Sequence, residues 1–358
     1  MEKRIKDMAN ILVDYSVNIK KGEGVMLDAD SLANDLILEV YKRIIQKGAY
    51  PSTSIGLPGM AKIYFENASN KQLKHFPKIT WHKVLHSQAE IGIGAPRDTR
   101  ELKHINPKRI SLRAKTTGKI TNYIVNEKKR IRRCTTQFPT PALAKDAGIS
   151  FKKYKDFFFR AVNQDWKKES KRLKKIHSLF KGADKIRIIA PGTDIKMSVK
   201  NRPLIIDDGK ENMPGGEMFY APLKKSVKGY IKFTYPAIRA GNEVKGIRIE
   251  FKDGKVVKAT AKQNEKFLKE MIKTDSGSKY VGELGIGCNT KIDRFTKNLL
   301  FDEKIGGTIH LALGMAYKEC KGKNKSALHW DIVCDLKKGG QIIVDGKIIQ
   351  KNGRFIGL

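Results

Sequence analysis

Long apolar runs are missing from this 358-residue chain. No stretch approaches the ~20 residues that cross a bilayer, so no membrane-spanning segment is expected. The opening MEKRIKDMANILVDYSVNI carries charge but lacks a compact apolar stretch followed by a small-residue cleavage site. That argues against secretion and for a cytoplasmic protein. Cysteine is scarce: Cys134, Cys288, Cys320 and Cys334 lie far apart and form no CxxC pair. Their spacing speaks against a disulfide framework or a structural zinc knot and predicts reduced thiols. No GxGxxG or Walker-type phosphate loop occurs, and GIGAP at residues 92–96 is too short to mark a cofactor site. Acidic residues are in deficit, 37 against 72 Lys and Arg, for a net charge of +35. Such a charge attracts polyanions non-specifically. The cations are spread along most of the chain, mostly as Lys, without an Arg-rich arm or recognition helix, so no specific nucleic-acid partner is expected. The densest tract, 152–185, interleaves Lys with Phe, Trp and Leu and with Asp156, Asp165, Glu169 and Asp184, the composition of a solvated basic face.

What is present is ordinary globular material, 40% apolar and 30% charged, in a length comfortable for two domains. GEGVMLDAD reads as a strand, SLANDLILEVYKRIIQKGA as a helix with apolar residues three and four apart and a glycine stop, and PSTSIGL as a strand. Residues 24–57 therefore predict a βαβ unit. AEIGIGAPRD and DKIRIIAPGTD repeat the strand-then-turn pattern. Further on, GIRIEFKDGKVVKATA and QIIVDGKIIQ are hairpins with Asp253-Gly254 and Asp345-Gly346 at their turns. GYIKFTYPAI is another strand candidate, and helices are expected near 261–273 and 306–320. The fold class expected is an α/β N-terminal domain with a mainly parallel sheet, residues 1–195, followed by an α+β catalytic domain with antiparallel strands, residues 196–358.

Chemistry concentrates late in the chain. His82 and His86 have helical i,i+4 spacing, but no HExxH glutamate accompanies them. His329 and Asp331 in SALHWDIVCDL sit in a β-favouring run, where residues two apart point to one side and are able to address one metal. Imidazole with carboxylate suits Zn²⁺, Co²⁺ or Mn²⁺. His310 lies in FDEKIGGTIHLALGMAY; a helix there would place His310 and Tyr317 two turns apart on nearly one face, with Glu303 just upstream. Glu217 in NMPGGEMFYAP and Glu283 in YVGELGIGCN each follow a glycine among apolar neighbours. A carboxylate in such surroundings is costly unless it is paired or binds metal. Together these residues supply enough ligands for two ions sharing a carboxylate, the arrangement of metal-assisted hydrolysis.

The segments NMPGGEMFYAP, GELGIGCN, DEKIGGTIHLALGMAY and ALHWDIV, in that order, resemble the M29 peptidases, the thermophilic aminopeptidase T family of metalloaminopeptidases. RRCTTQFPTPALAKDAG and FFFRAVNQDW support the likeness upstream. The resemblance implies two divalent ions held by Glu217, Glu283, His310, His329 and Asp331, with Glu303 a further carboxylate and Glu283 the one shared between the ions. It implies Tyr317 as catalytic tyrosine, Glu283 or Glu303 as proton shuttle, peptides with a free N-terminus as substrates, and a homodimer. Two departures stand out: Tyr220 replaces the threonine of GEVFTAP, and Glu303 is two residues further from its histidine than in well-known members. A related non-haem iron ring-opening dioxygenase and a basic polyanion-binding module are the competing readings.

Overall fold

The computed structural model describes residues 2–126, 131–239 and 241–357. Contacts divide the chain into two compact units, Met1–Gln164 with Gly209–Pro214, and Asp165–Asp208 with Gly215–Leu358. The sequence places its soft boundary at residue 195; by compactness, Asp165–Asp208 groups with the second unit and Gly209–Pro214 with the first. No helix among the described residues is long and apolar enough to cross a membrane.

The first unit is α/β, as expected. The helix Asn34–Gln46 turns Leu36, Ile37, Val40 and Ile44 inward at the spacing of a helical stripe. Gly48, at φ 70°, ends it in a conformation that glycine adopts without strain. The chain then returns as Tyr50–Gly56, parallel to Gly24–Asp30. Three more parallel pairings complete a five-stranded sheet ordered Tyr50–Gly56, Gly24–Asp30, Ala89–Gly94, Arg132–Gln137, Asn212–Met213. Val25, Met26 and Leu27 in the second of these strands are consecutive and buried, as in a sheet covered on both faces.

The second unit is antiparallel. Its eight-stranded sheet contains both predicted hairpins, with Asp253 and Gly254 at φ 50° and 78° and Asp345 and Gly346 at φ 47° and 88°. Positive φ at both central residues matches the twist of the flanking strands. DKIRIIAPGTD departs from expectation: Lys185–Ala190 pairs antiparallel with Thr193–Ser198 in this sheet and does not extend the parallel one. The expected helix near 261–273 forms as Glu265–Ile272.

The second correction matters more. Residues 308–314 form no helix; Thr308–Gly314 is a fully buried strand between Val281–Gly287 and His329–Asp335. A short apolar run does not distinguish strand from helix by periodicity, and hydrogen-bonding partners on both sides decide it. The resulting five-stranded sheet runs His329–Asp335, Thr308–Gly314, Val281–Gly287, Glu217–Tyr220, Ile205–Asp207. One face carries Met218, Leu284, Ile286, Ile309, Leu311, Leu313 and Ile332, packed in a common core with Ile186, Ile188, Ile195 and Ile249 of the larger sheet. Each such side chain, fully buried, stabilises the fold by about 1.5–3 kcal/mol.

Candidate metal centre

The other face of that sheet gathers the ionisable residues. Directly opposed residues of an antiparallel pair share a face. The pairs Glu217–Gly287, Gly285–His310, Glu283–Ala312, Ala312–Asp331 and Gly314–His329 therefore put both glutamates, both histidines and the aspartate on one side. Glu283 keeps the register of Leu284–Gly287, and the irregularity falls just beyond it, between Val281 and Glu283. Small residues between these side chains make room for them. A Cβ on Gly285 would lie 1.9 Å from His310 Nε2, so the imidazole occupies space that only glycine leaves open.

His310 is wholly buried, and Glu217, Glu283 and Asp331 are each 5% exposed. His310 Nε2 lies 3.3 Å from Glu283 Oε1, 3.6 Å from Glu217 Oε2 and 4.0 Å from Asp331 Oδ1. His329 Nε2 lies 3.3 Å from Asp331 Oδ2 and 3.7 Å from Glu283 Oε2. The His329 Nδ1–H donates to the Met315 carbonyl at 2.9 Å, which turns Nε2 toward the carboxylates. Two sets of donor atoms, Glu217–Glu303–His310 and Glu283–His310–Asp331, each fall within 4.8 Å of one another. His310 is common to both sets, while Glu283 presents one oxygen to His310 and the other to His329.

The chemistry of these donors fits a divalent ion. Glu217 Oε2, Glu283 Oε2, His310 Nδ1 and Asp331 Oδ1 are buried without a hydrogen-bond partner. Three of the four are carboxylate oxygens, acceptors only when ionised, and a cation satisfies them where no donor is provided. Burial pushes the Glu217 carboxyl up to about 8, although Lys304 and His310 oppose the shift, and it raises Glu283 as well. Burial also disfavours the charged form of His310, but Glu283, Glu217 and Asp331 outweigh it and hold the imidazole at about 9. His329 is held at about 10 by Asp331 and Glu283 against the same penalty, and it draws Asp331 down to about 2 against burial. Without metal, the imidazoliums are the carboxylates' counter-ions; metal capture has to release those protons.

Glu303 follows the short helix Leu299–Asp302, anchored where Asp302 Oδ1 accepts from the Thr296 amide at 2.7 Å and its hydroxyl at 2.9 Å. Despite its longer spacing, Glu303 reaches the Glu217–His310 set. Tyr317, half-buried, lies in the loop beyond Thr308–Gly314, so the two-turn helical relation to His310 does not exist. It meets the site through its ring, 5.0 Å from the His329 ring and 5.9 Å from that of Phe219. Burial and the surrounding carboxylates raise its pKa, keeping it a phenol and a donor. Tyr220 points into the core beside Phe180, on the face opposite Glu217, and does not reshape the site. His82 and His86 stack on each other at an exposed position, 4.1 Å between ring centroids. All four cysteines are buried.

One residue escaped sequence reasoning. Lys304 is completely buried, its Nζ 3.2 Å from Glu217 Oε1 and 3.9 Å from Asp207 Oδ2, and it is paired with Glu303. In a lysine-rich chain, no composition or spacing signal singles it out.

The model of the family described as thermophilic metalloprotease (M29) matches residues 1–355. Aminopeptidase AmpS of Bacillus subtilis (strain 168) is 26% identical over 350 residues, 88% of this chain and 84% of its own. Aminopeptidase 2 of Geobacillus stearothermophilus is 26% identical over 402 residues, 97% of this chain and 95% of its own. Among solved structures, wild-type AmpT from Thermus thermophilus superposes with a TM-score of 0.84 at 20% identity, covering 99% of both chains. A 2,5-dihydroxypyridine dioxygenase from Pseudomonas putida KT2440 shares the fold at a TM-score of 0.61 and 12% identity, covering 99% of this chain and 97% of that one.

Proposed function

The chain belongs to the M29 family of thermophilic metalloproteases, and from that premise we propose that it is a cytoplasmic aminopeptidase acting on peptides with a free N-terminus. The observation that carries this reading is the pair of carboxylate–imidazole sets gathered at one rigid sheet face, Glu303 joining from beyond the helix Leu299–Asp302, with buried oxygens lacking hydrogen-bond donors. Glu217 and Glu303 would hold one divalent ion, and His310, His329 and Asp331 another, with Glu283 the carboxylate shared between them and Zn²⁺, Co²⁺ and Mn²⁺ all suited to these donors. When bound, the ions supply Lewis acidity toward a peptide carbonyl and toward water.

The chain's own groups do the rest. Glu283 takes a proton from the attacking water, and Glu283 or Glu303 returns one to the departing amine. The Tyr317 hydroxyl, kept protonated, donates to the oxygen that gains negative charge. A site crowded with carboxylates favours a protonated α-amino group, which selects chain ends. The test is hydrolysis of unblocked and N-acetylated peptides by metal-stripped protein, with each ion added back. Cleavage restored by metal and confined to unblocked peptides is expected. No cleavage by folded, metal-loaded protein would sink the reading and favour the ring-opening chemistry.

The partner expected besides substrate is a second copy of the chain. Leu38, Tyr41 and Ile45 form an exposed stripe on the helix Asn34–Gln46, 52, 42 and 51% accessible. The neighbouring strand Tyr50–Gly56 lies at its sheet's edge. Exposed apolar stripes and open edges are features that association covers. Light scattering should give twice the chain mass, and Leu38→Glu with Ile45→Glu should halve it; an unchanged mass would exclude this surface.

A further inference from the structure

A lysine with no exposure is rare and persists only where carboxylates compensate its lost hydration. Lys304 has such partners in Glu217, Glu303 and Asp207. Its backbone is held at both ends of the residue: its amide donates to the Phe301 carbonyl at 3.0 Å, and its carbonyl accepts from the Asn289 amide at 2.9 Å. Two of the carboxylates paired with Lys304 also belong to the Glu217–Glu303–His310 set. Among the described residues, Glu283 and Asp331 have ion-pair contacts within 4 Å only with His310 and His329. The two sets are therefore electrostatically unequal. Imidazole ligands bind a cation in neutral form, whereas an ammonium has three N–H donors, no lone pair and a fixed charge.

We propose that Lys304 is a positioning residue that makes the two metal positions unequal, so that loading is sequential. The Glu283–His310–Asp331 position fills first and retains its ion. The Glu217–Glu303 position, where Lys304 already engages an oxygen of each carboxylate, fills at higher free metal and exchanges readily. Until then Lys304 stands in for the missing cation and keeps both carboxylates in place. This rests on the two-ion reading above.

The test is Zn²⁺ content per chain after equilibrium dialysis against graded free Zn²⁺, using the full chain with folding checked by circular dichroism. Wild type should take up one ion, then a second at about tenfold or more higher free Zn²⁺. In Lys304→Met the second step should tighten by about that factor and approach the first. Two ions taken up together by wild type, or an unchanged separation in Lys304→Met, would overturn the role of Lys304 while leaving the two-ion reading intact. One ion in wild type but two in Lys304→Met would support Lys304 as a cation substitute and overturn two-ion occupancy of the native chain. One ion in both would overturn both. Should Lys304→Met fail to fold, the double variant Lys304→Met/Asp207→Asn removes one charge of each sign and takes its place. Independently, Glu303→Gln should abolish the weak step and Asp331→Asn the tight one; the reverse pattern refutes the ordering.

Discussion

On one face of the five-stranded sheet, Leu284, Ile286, Ile309 and Leu311 are all fully buried in the core. On the other face of the same strands, His310 is as deeply buried, and Glu217, Glu283 and Asp331 nearly so. Burial is therefore equal and the consequences are opposite. The apolar face gains free energy from exclusion of water. The ionisable face is destabilised by it unless a cation or proton compensates the charge. One face supplies the rigidity that keeps the other's carboxylates close together, and alternation along each strand lets both be written into one sequence.

The largest effect that tests this division should come from Glu283→Gln. The isosteric amide keeps the shape but removes the base and a charged oxygen, so kcat/KM should fall by about 10²–10⁴ while the fold survives. Activity within about threefold of wild type, with metal content unchanged, would remove Glu283 from the chemistry. Tyr317→Phe should cost about 10²–10³ in kcat with metal content retained, because only a donor is lost. A loss confined to KM would make the tyrosine a substrate contact.

A pair of small changes separates the faces directly. Leu311→Ala empties core space and should destabilise the protein by about 2–5 kcal/mol, leaving metal uptake per folded chain intact. Gly285→Ala adds a methyl where the His310 ring lies and should weaken metal retention, at about 1–3 kcal/mol of strain. Denaturant melts and metal analysis on the same samples read both; parallel losses in the two variants would mean that the faces are not independent.

The smallest effect concerns a carboxylate satisfied by hydrogen bonds. Asp275 accepts from the amides of Gly277, Ser278 and Ala327 and from the Ser326 hydroxyl, at 2.7–2.9 Å. Partial burial would raise its pKa, but these donors outweigh that and lower it. Its folded pKa thus lies below the unfolded value of about 3.9, so its contribution is present above that pH and is lost as pH falls through the folded pKa. The Tm difference between wild type and Asp275→Asn should be constant above about pH 5 and shrink below about pH 4. A constant gap down to acid pH would contradict the assignment.

The βαβ unit was legible because a thirteen-residue helix shows its apolar stripe in a local window. The hairpins were legible because Asp-Gly turns require positive φ. His329 and Asp331 were legible as a pair because their strand is long enough to display its alternation. Thr308–Gly314 was misread because IHLALG is compatible with either period until its neighbours are placed. Lys304 was invisible because sequence expects a lysine in water, and it takes Glu217 and Asp207 from distant strands, beside its neighbour Glu303, to make its burial tolerable.

Sequence by itself determined the family and the α/β-then-antiparallel order, and its resemblance to that family named the candidate ligands, since these reside in local patterning. Tertiary structure alone decided that five candidate ligands share one sheet face, that Gly285 yields its side-chain space to His310, and that Lys304 lies against Glu217. Register, close approach and the field around a buried charge arise between segments far apart in the chain, and no local window contains them.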